Sequence, residues 1–172
     1  MPTSILIVVM GVSGCGKSTI GKALAERLGM AFFDGDDFHP AANRQKMENG
    51  TPLNDNDRAP WLAAICTHAN ELLQRDKSLI VACSALKRAY REHLRSVDPK
   101  PLFVHLHAPQ EIIAERQAAR PGHFMPPGLL PSQYETLESA SDEPDVIEVS
   151  VDQPLAKAVE SAVASVNAKL HR

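Results

Sequence analysis

The feature that most constrains this chain is an eight-residue loop, GVSGCGKS, at residues 11–18. It matches the phosphate-binding pattern G-x-x-x-x-G-K-[ST], whose backbone N–H groups surround a polyphosphate. The apolar run Ile5–Met10 precedes the loop, and Thr19–Leu28 has the apolar spacing of an amphipathic helix. Because this loop functions between a buried strand and a helix N-terminus, the sequence predicts a strand–loop–helix unit that binds a nucleoside triphosphate.

Short apolar runs alternate with helical patterns along the rest of the chain. The predicted strands are Ile5–Met10, Ala31–Asp34, Leu79–Cys83, Leu102–His107 and Val146–Val151. The predicted helices are Thr19–Leu28, Pro60–Arg75, Lys87–Arg95, Gln110–Arg120 and Pro154–Leu170. Strands that are almost continuously apolar are typical of a parallel sheet covered on both faces. We therefore predict one domain, residues 1–172, with a three-layer α/β/α fold and a five-stranded parallel sheet.

Composition excludes several classes of partner. The chain has 172 residues, with 18 lysines and arginines against 21 acidic residues, which gives a formal charge of −3. Proteins that coat nucleic acid or anionic membranes are usually basic, so we expect neither partner. The three cysteines form no C-x-x-C pair and the seven histidines have no zinc-binding spacing, so we expect no zinc and a cytoplasmic location.

The phosphate-binding loop supplies the predicted nucleotide contacts. Lys17 would place its charge on the β- and γ-phosphates, and the hydroxyl of Ser18 is a hard ligand suited to Mg²⁺. ATP and Mg²⁺ are therefore the predicted cofactors. The loop residues assigned to the nucleotide are Gly11, Val12, Ser13, Gly14, Cys15, Gly16, Lys17, Ser18 and Thr19.

Two carboxylates follow the second predicted strand. Asp34 and Asp36 would lie near the loop if that strand neighbours the first, since ligands bind at the carboxyl ends of parallel strands. One carboxylate could hold Mg²⁺ while the other accepts a proton from an attacking hydroxyl. Our working hypothesis places Ser18 on the metal and Asp34 in the outer shell of the metal, and gives the proton to Asp36, although the residues alone leave open which carboxylate does which. An ordinary acidic turn is the alternative.

Cations elsewhere in the sequence suggest an anionic acceptor. Arg58, Lys87 and Arg91 are the candidates to bind it, because arginine pairs bidentately with carboxylates. Solvated basic side chains are the alternative. Asn56 or Asp57 would cap the helix that follows, with Pro60 in its first turn.

A proline-rich segment at residues 121–131 interrupts the alternation of strands and helices. Because proline removes donors and fixes φ, we predict neither a helix nor a central strand there, but a mobile lid or a plain loop. Arg116 and Arg120 share a helix face just before it, and Arg120 could reach the transferring phosphoryl group together with Lys17.

Gln153 and Pro154, which follow the last strand, are predicted to lie beside the nucleotide base. His39 and His123 could touch the acceptor.

Several of these motifs together resemble the thermoresistant gluconokinase family, small gluconate kinases with a phosphate-binding loop. The resemblance covers essentially the whole chain. It rests on the loop with Met10, on Asp34-Gly-Asp36 with His39-Pro40, on Asn43 with Lys46-Met47, on Gly50–Arg58 with Pro60-Trp-Leu62, on Cys83–Lys87 with Tyr90-Arg91, and on Gly122-His-Phe124 and Asp152–Pro154. The only departure is Cys15, where serine or alanine is as familiar.

The resemblance implies ATP-dependent phosphorylation of D-gluconate at its 6-hydroxyl, which gives 6-phospho-D-gluconate. It also implies an acceptor-binding helical segment at about 38–75, a lid at about 120–133, Arg116 stacked on the adenine, and a homodimer. Shikimate kinases and nucleoside monophosphate kinases share this architecture and are the alternatives. A GTP-binding switch would require an N-K-x-D motif, and no Asn-Lys dipeptide occurs.

Overall fold

The computed structural model describes residues 4–119 and 129–171, and only the backbone of Leu129. Its strands are β1 Leu6–Met10, β2 Ala31–Asp34, β3 Leu79–Ala82, β4 Leu102–His107 and β5 Val146–Ser150. Its helices are α1 Lys17–Leu28, α2 Ala41–Glu48, α3 Asp55–Leu73, α4 Arg88–Leu94, α5 Gln110–Ala118, α6 Leu129–Thr136 and α7 Leu155–Leu170. A 3₁₀ turn, Gly35–Phe38, joins β2 to α2.

The five strands form one parallel sheet, as the apolar runs predict, and their order in the sheet is β2-β3-β1-β4-β5. Successive residues of β1 point to opposite faces. Ile7 and Val9 belong to a buried cluster that includes residues of α1 and α7, and Val8 belongs to a second cluster that includes residues of α3 and α4. The predicted three-layer fold is therefore confirmed. None of the helices that the structure describes is both long and apolar enough to cross a membrane.

The position predicted for Asp34 assumed that β2 neighbours β1. This assumption is wrong, because β3 lies between β1 and β2. Asp34 nevertheless reaches the loop. Helix α1 packs across both β2 and β3, so its first turn lies over the end of β2. The Ser18 hydroxyl there donates to Asp34 Oδ2 at 2.7 Å.

Helix α3 begins earlier than its proline predicts. Asn54 is the N-cap, and its side chain and that of Asp57 form a reciprocal capping box. The predictions that Asn56 or Asp57 caps the helix and that Pro60 opens it are therefore wrong, and Pro60 lies inside the helix. The two hydrogen bonds of the capping box outweigh the preference of proline for the first helical position.

The proline-rich segment is partly helical. Residues 129–131 form the first turn of α6, which corrects the prediction that 121–131 contains no helix. A proline at position 131 is tolerated because the first N–H groups of a helix have no partner within it. Residues 120–128, with most of the predicted lid, lie outside the described residues.

A buried ion pair joins α4 to the segment before β5. The Arg91 side chain is fully buried, and its Nη2 lies 2.8 Å from Oε2 of Glu143, itself only 7 % exposed. Burial raises the pKa of the Glu143 carboxyl, but hydrogen bonds from Arg91 and Arg95 outweigh that effect and hold the pKa at about 2. A buried charge that loses its partner is costly, so this pair ties two distant parts of the chain together.

We expect Glu143→Ala to lower the free energy of unfolding by about 3–5 kcal/mol, because it leaves Arg91 charged and unpaired. Asp142→Ala is the matched control. Its exposed pair with Arg88 should contribute no more than about 1 kcal/mol. Urea unfolding monitored by circular dichroism gives both values, and equal losses would contradict the assignment.

Because the folded pKa of Glu143 lies below its ordinary 4.5, this stabilisation should be present above pH 4.5 and lost as the pH falls towards 2.

The cysteines should be unreactive in the folded protein. Cys15, Cys66 and Cys83 are all buried, and burial raises the pKa of each thiol, to about 12 for Cys83. Since the thiolate is the reactive form, we expect Ellman's reagent at pH 8 to label none of them rapidly in native protein, and all three in urea. Fast labelling of any one thiol without urea would contradict its burial.

Candidate active site

The loop between β1 and α1 has the geometry of a phosphate-binding loop. Gly11 adopts φ +146° and Gly16, the N-cap of α1, adopts φ +95°. At Gly11 a Cβ would also lie 2.7 Å from the carbonyl oxygen of Leu106, so no side chain fits. The loop therefore ends at the N-terminus of a twelve-residue helix, where backbone N–H groups and the helix dipole favour an anion.

Lys17 lies across this loop. Its Nζ donates to the carbonyl oxygens of Gly11 and Val12, each at 3.0 Å. Among the residues that the structure describes, it has no carboxylate partner within ion-pairing distance. The charge is therefore held at the loop by carbonyl oxygens, and no ion pair with a described acidic side chain fixes it.

Asp34, at the end of β2, connects the loop to the 3₁₀ turn. Its Oδ2 accepts from the Ser18 hydroxyl at 2.7 Å, and its Oδ1 accepts from the backbone N–H of Asp36 at 3.0 Å. Both carboxylate oxygens are thus occupied. The structure brings Ser18 and Asp34, the two predicted metal ligands, into direct contact.

Asp36 lies on the 3₁₀ turn, close to both Asp34 and Lys17. Its side chain is 61 % exposed, so its carboxylate is only partly desolvated. Desolvation there raises the pKa of its carboxyl above the ordinary value, Lys17 opposes this, and the charges of Asp34 and Asp37 raise the pKa further. The carboxylate is therefore more basic than an ordinary aspartate.

His39 is buried at the end of the same turn, with 3 % of its side chain exposed. Its ring stacks on that of Trp61 with centroids 4.1 Å apart, and its Nδ1 lies 3.2 Å from Asn43 Nδ2. Desolvation, followed by the charges of Arg58 and Arg44, lowers the pKa of His39 to about 4, so the ring is neutral at neutral pH. The predicted contact with acceptor is difficult for a side chain this buried.

A cleft of about 460 Å³ opens between the start of α3 and α4. It is lined by Leu53, Asn54, Asp55, Asn56, Lys87, Tyr90 and Thr136. On its wall, Asp55 Oδ1 accepts from the Tyr90 hydroxyl at 2.6 Å and from Lys87 Nζ at 3.1 Å. These two hydrogen bonds lower the pKa of Asp55 and keep it ionised. The cleft therefore contains Lys87, a predicted acceptor ligand, and the side chain of Lys87 is already paired with the Asp55 carboxylate.

Arg58 packs against Tyr90, one of the residues that line the cleft. It is 8 % exposed, its guanidinium stands 5.0 Å from the centroid of the Tyr90 ring, and its Nε is buried without a hydrogen-bond partner among the described residues. A buried donor without a partner is costly. Arg58 is thus a cation near the cleft with unused hydrogen-bonding capacity.

Arg91 is not brought into the cleft, which corrects its predicted role as an acceptor ligand. Its guanidinium donates to Glu143 and to the carbonyl oxygens of Ala85, Leu86 and Glu138. A fully buried arginine with all three nitrogens occupied is part of the core. The sequence could not show this, because its partner lies 52 residues further along the chain.

The remaining predicted residues lie at the same edge of the sheet or outside the described residues. Arg116, half-buried on α5, is close enough to the loop that its charge lowers the pKa of Cys15, against the larger effect of burial. Gln153 and Pro154 follow β5, where the Gln153 amide donates to Ser150 and Pro154 precedes α7. Thr19 is exposed on α1. Arg120 and His123 lie outside the described residues.

Two glutamines near the loop were not found by sequence reasoning. Gln133 Oε1, on α6, accepts from the Ser13 backbone N–H at 2.6 Å, and Gln117 Nε2, on α5, donates to the Ser13 carbonyl at 3.0 Å. These helices flank residues 120–128 in the sequence, and both contact the same residue of the loop. No local signal marks such glutamines, because the contacts span 104 and 120 residues of sequence.

Comparison with known proteins agrees with this geometry. Residues 6–127 match a family model described as an AAA domain. A gluconokinase of Gluconobacter oxydans is 50 % identical over 84 % of this chain and 81 % of its own length. The thermoresistant gluconokinase of Escherichia coli is 44 % identical over 92 % of this chain and 91 % of its own.

Solved structures separate the close relatives from those that share only the fold. The crystal structure of a gluconokinase from Sinorhizobium meliloti is 46 % identical, covers 99 % of this chain and 96 % of its own, and has a TM-score of 0.90. Shikimate kinase from Aquifex aeolicus covers 96 % and 98 % with a TM-score of 0.65, but at 19 % identity this likeness concerns the fold alone. The chain belongs to the gluconokinase family of kinases with a phosphate-binding loop, as its sequence motifs predict.

Proposed function

We propose that this protein transfers the γ-phosphoryl group of ATP to the 6-hydroxyl of D-gluconate and forms 6-phospho-D-gluconate. Its relatives named gluconokinase support this reaction. The observation that carries it is the position of Asp36, near Lys17 of the phosphate-binding loop, with Arg58 close to His39 at the end of the same turn. A carboxylate with cations of both proposed sites nearby suits a kinase whose acceptor is itself an anion.

The nucleotide side uses the loop. The backbone N–H groups from Gly11 to Thr19 would bind the phosphates, and Lys17 would exchange its two carbonyl acceptors for phosphate oxygens. Arg116, Gln153 and Pro154 would lie beside the nucleoside. Arg120, whose structure is not described, stays a prediction for the transferring phosphoryl group.

Mg²⁺ fits the residues at the mouth of the loop. It prefers hard oxygen ligands and usually takes one or two protein groups together with phosphates and water. The Ser18 hydroxyl and the Asp34 carboxylate, in contact at 2.7 Å, are groups of this kind. When bound, Mg²⁺ would neutralise charge on the phosphates of ATP.

The acceptor side uses the cleft. Arg58, whose guanidinium stands 5.0 Å from the centroid of the Tyr90 ring in the cleft wall, and Lys87 would bind the gluconate carboxylate. For this, Lys87 would exchange its pair with the Asp55 carboxylate for the carboxylate of gluconate. The far end of the six-carbon acid would then extend towards Asp36. Arg91 is omitted from this site because of its buried pair with Glu143.

Asp36 would accept the proton of the attacking hydroxyl. Both oxygens of Asp34 already accept hydrogen bonds, whereas the Asp36 carboxylate is accessible and has a raised pKa. A more basic carboxylate is a better proton acceptor in the transition state. This argument supports the division in which Asp34 serves the metal and Asp36 the proton.

A homodimer, a cytoplasmic location and the absence of nucleic-acid and membrane partners stay predictions. Sedimentation velocity at micromolar concentration would determine the oligomeric state.

We expect Lys17→Ala to lower kcat about 1,000-fold. A cation about 4 Å from a phosphate contributes roughly 4 kcal/mol at an effective dielectric near 20, and loss of that interaction in the transition state gives this factor. Lys22→Ala, an exposed lysine on the same helix, is the matched control and should keep kcat within twofold. A Lys17→Ala enzyme with kcat within about tenfold of normal would contradict the role of the loop.

We expect Arg58→Ala to raise the KM for gluconate about 10- to 100-fold and to leave the KM for ATP nearly unchanged, because a charge-assisted hydrogen bond contributes about 1.5–3 kcal/mol. Arg88→Ala is the control, since Arg88 follows Lys87 but pairs with Asp142. Steady-state kinetics with each substrate varied gives the two constants. Equal increases in both KM values would rule out recognition of the carboxylate.

We expect Asp36→Asn to lower kcat about 10²- to 10⁴-fold, the usual contribution of a general base. Asp37→Asn, a change of the neighbouring exposed carboxylate, should have little effect. Single-turnover measurement of phosphoryl transfer separates this loss from product release. Near-normal transfer by Asp36→Asn would assign the proton to another group.

A further inference from the structure

His39 has a defined protonation state that follows from its neighbours. The Asn43 side-chain nitrogen donates to the carbonyl oxygen of Asp57 at 2.7 Å, and a carbonyl can only accept, so this atom is the NH₂ nitrogen of the amide. The same nitrogen lies 3.2 Å from Nδ1 of His39 and supplies its second hydrogen there. Nδ1 is therefore an acceptor, and the hydrogen of the neutral ring is on Nε2.

This hydrogen is directed at Asp36. His39 Nε2 lies 3.7 Å from Asp36 Oδ1, which is longer than a hydrogen bond but short enough to become one through a small rotation of the exposed carboxylate. Hydrogen bonds of catalytic groups are often long in the free protein and shorten when substrate binds. His39 can therefore donate to Asp36 without leaving its buried position.

The ring itself cannot turn away easily. It stacks on Trp61 at an interplanar angle of 17°, and Trp61 is fixed in turn because its Nε1 donates to the Gly35 carbonyl at 2.7 Å. Gly35 opens the turn that carries Asp36, and His39 ends it. The donor and the carboxylate are thus held by one connected set of contacts.

Asp36 has no other side-chain partner at hydrogen-bond distance within the described parts of the chain. Its backbone is fixed, because its N–H donates to Asp34 and its carbonyl accepts from Arg44. Its carboxylate is not fixed in this way, and 61 % of the side chain is exposed. A proton acceptor needs a defined orientation, since misplacement by about 1 Å can cost 10²-fold in rate.

We infer that His39 is a positioning residue for phosphoryl transfer, whose Nε2–H donates to Asp36 Oδ1 and directs the other carboxylate oxygen to the acceptor hydroxyl. This inference rests on the proposed function, in which Asp36 receives the proton of that hydroxyl. It replaces the sequence prediction that His39 touches the acceptor, because 3 % of the side chain is exposed. A protonated His39 would be a cation beside Asp36 and would compete with the acceptor hydroxyl for the carboxylate. The neutral ring does not compete in this way.

Two substitutions separate donation from packing. His39→Phe keeps an aromatic ring on Trp61 but removes the donor, and His39→Gln removes the stack but places an amide N–H near the position of Nε2. We expect His39→Phe to lower kcat about 10- to 100-fold with the KM for ATP within threefold of normal, and His39→Gln to recover most of this loss. If His39 serves only to pack on Trp61, the kcat of His39→Phe should stay higher than the kcat of His39→Gln. That result would overturn the inference.

The role of Asp36 is tested in the same series. If His39 acts through Asp36, adding His39→Phe to Asp36→Asn should change the remaining rate less than twofold. Independent, multiplying effects of the two substitutions would overturn the inference. If Asp36→Asn alone leaves transfer near normal, the proposed proton acceptor fails, and the positioning role fails with it. If Asp36→Asn is severe while His39→Phe is not, only the positioning role fails.

His68→Phe is the matched control for the loss of an imidazole. His68 lies against the rings of Phe33 and Phe38 and has no contact with Asp36 among the described contacts, so kcat should change less than twofold. Long-range ¹H–¹⁵N spectra of the wild-type protein report the tautomer of His39 without any substitution, and we expect hydrogen on Nε2. The same spectra of two variants test the contact with Asp36, and we expect the Nε2 shift to change in Asp36→Asn and not in Asp37→Asn. The Nδ1–H tautomer would overturn the inference.

Discussion

The two hydrogen bonds that Asp34 accepts, one from the Ser18 hydroxyl and one from the Asp36 backbone N–H, join the two halves of the site. Strand β2 is separated from β1 by β3, so the sheet alone would leave the 3₁₀ turn and the phosphate-binding loop apart. The carboxylate connects them at the first turn of α1. Everything that we assign to the acceptor side, from Asp36 to His39 and its stack on Trp61, depends on where this turn is held.

The electrostatics of the site follow from which cations are already paired. Arg91 is occupied by the buried Glu143 and Arg88 mainly by the exposed Asp142, so these residues stabilise the fold on the side of α4. Within the described part of the chain, Lys17 has no carboxylate partner, and the buried Nε of Arg58 has no hydrogen-bond partner. A protein with a formal charge of −3 can therefore present unneutralised positive charge to two anionic substrates, because the local field and not the total decides binding.

The sequence predicted what depends on local patterns. The apolar runs predicted all five strands, and the phosphate-binding pattern predicted the loop, whereas Asp34 contacts Ser18 although β2 does not neighbour β1 as the prediction assumed. It failed where distant contacts decide. The burial of Arg91 requires Glu143, and the contacts of Gln117 and Gln133 with Ser13 appear only after folding. The start of α3 was wrong for a local reason, because the capping box of Asn54 and Asp57 competes with Pro60. The role of His39 likewise needs Asn43 and Trp61 in three dimensions.

The central claim is that the loop and the cleft act on one acceptor, which is oriented by its carboxylate with its far hydroxyl at Asp36. The most direct test is NMR of the product formed from ATP and each of gluconate, shikimate and a nucleoside monophosphate, with the carbon that bears the new phosphate identified by its coupling to phosphorus. The account predicts phosphate on carbon 6 of gluconate and no comparable turnover of the other two compounds. Phosphorylation of gluconate at another carbon, or equal turnover of shikimate, would contradict it.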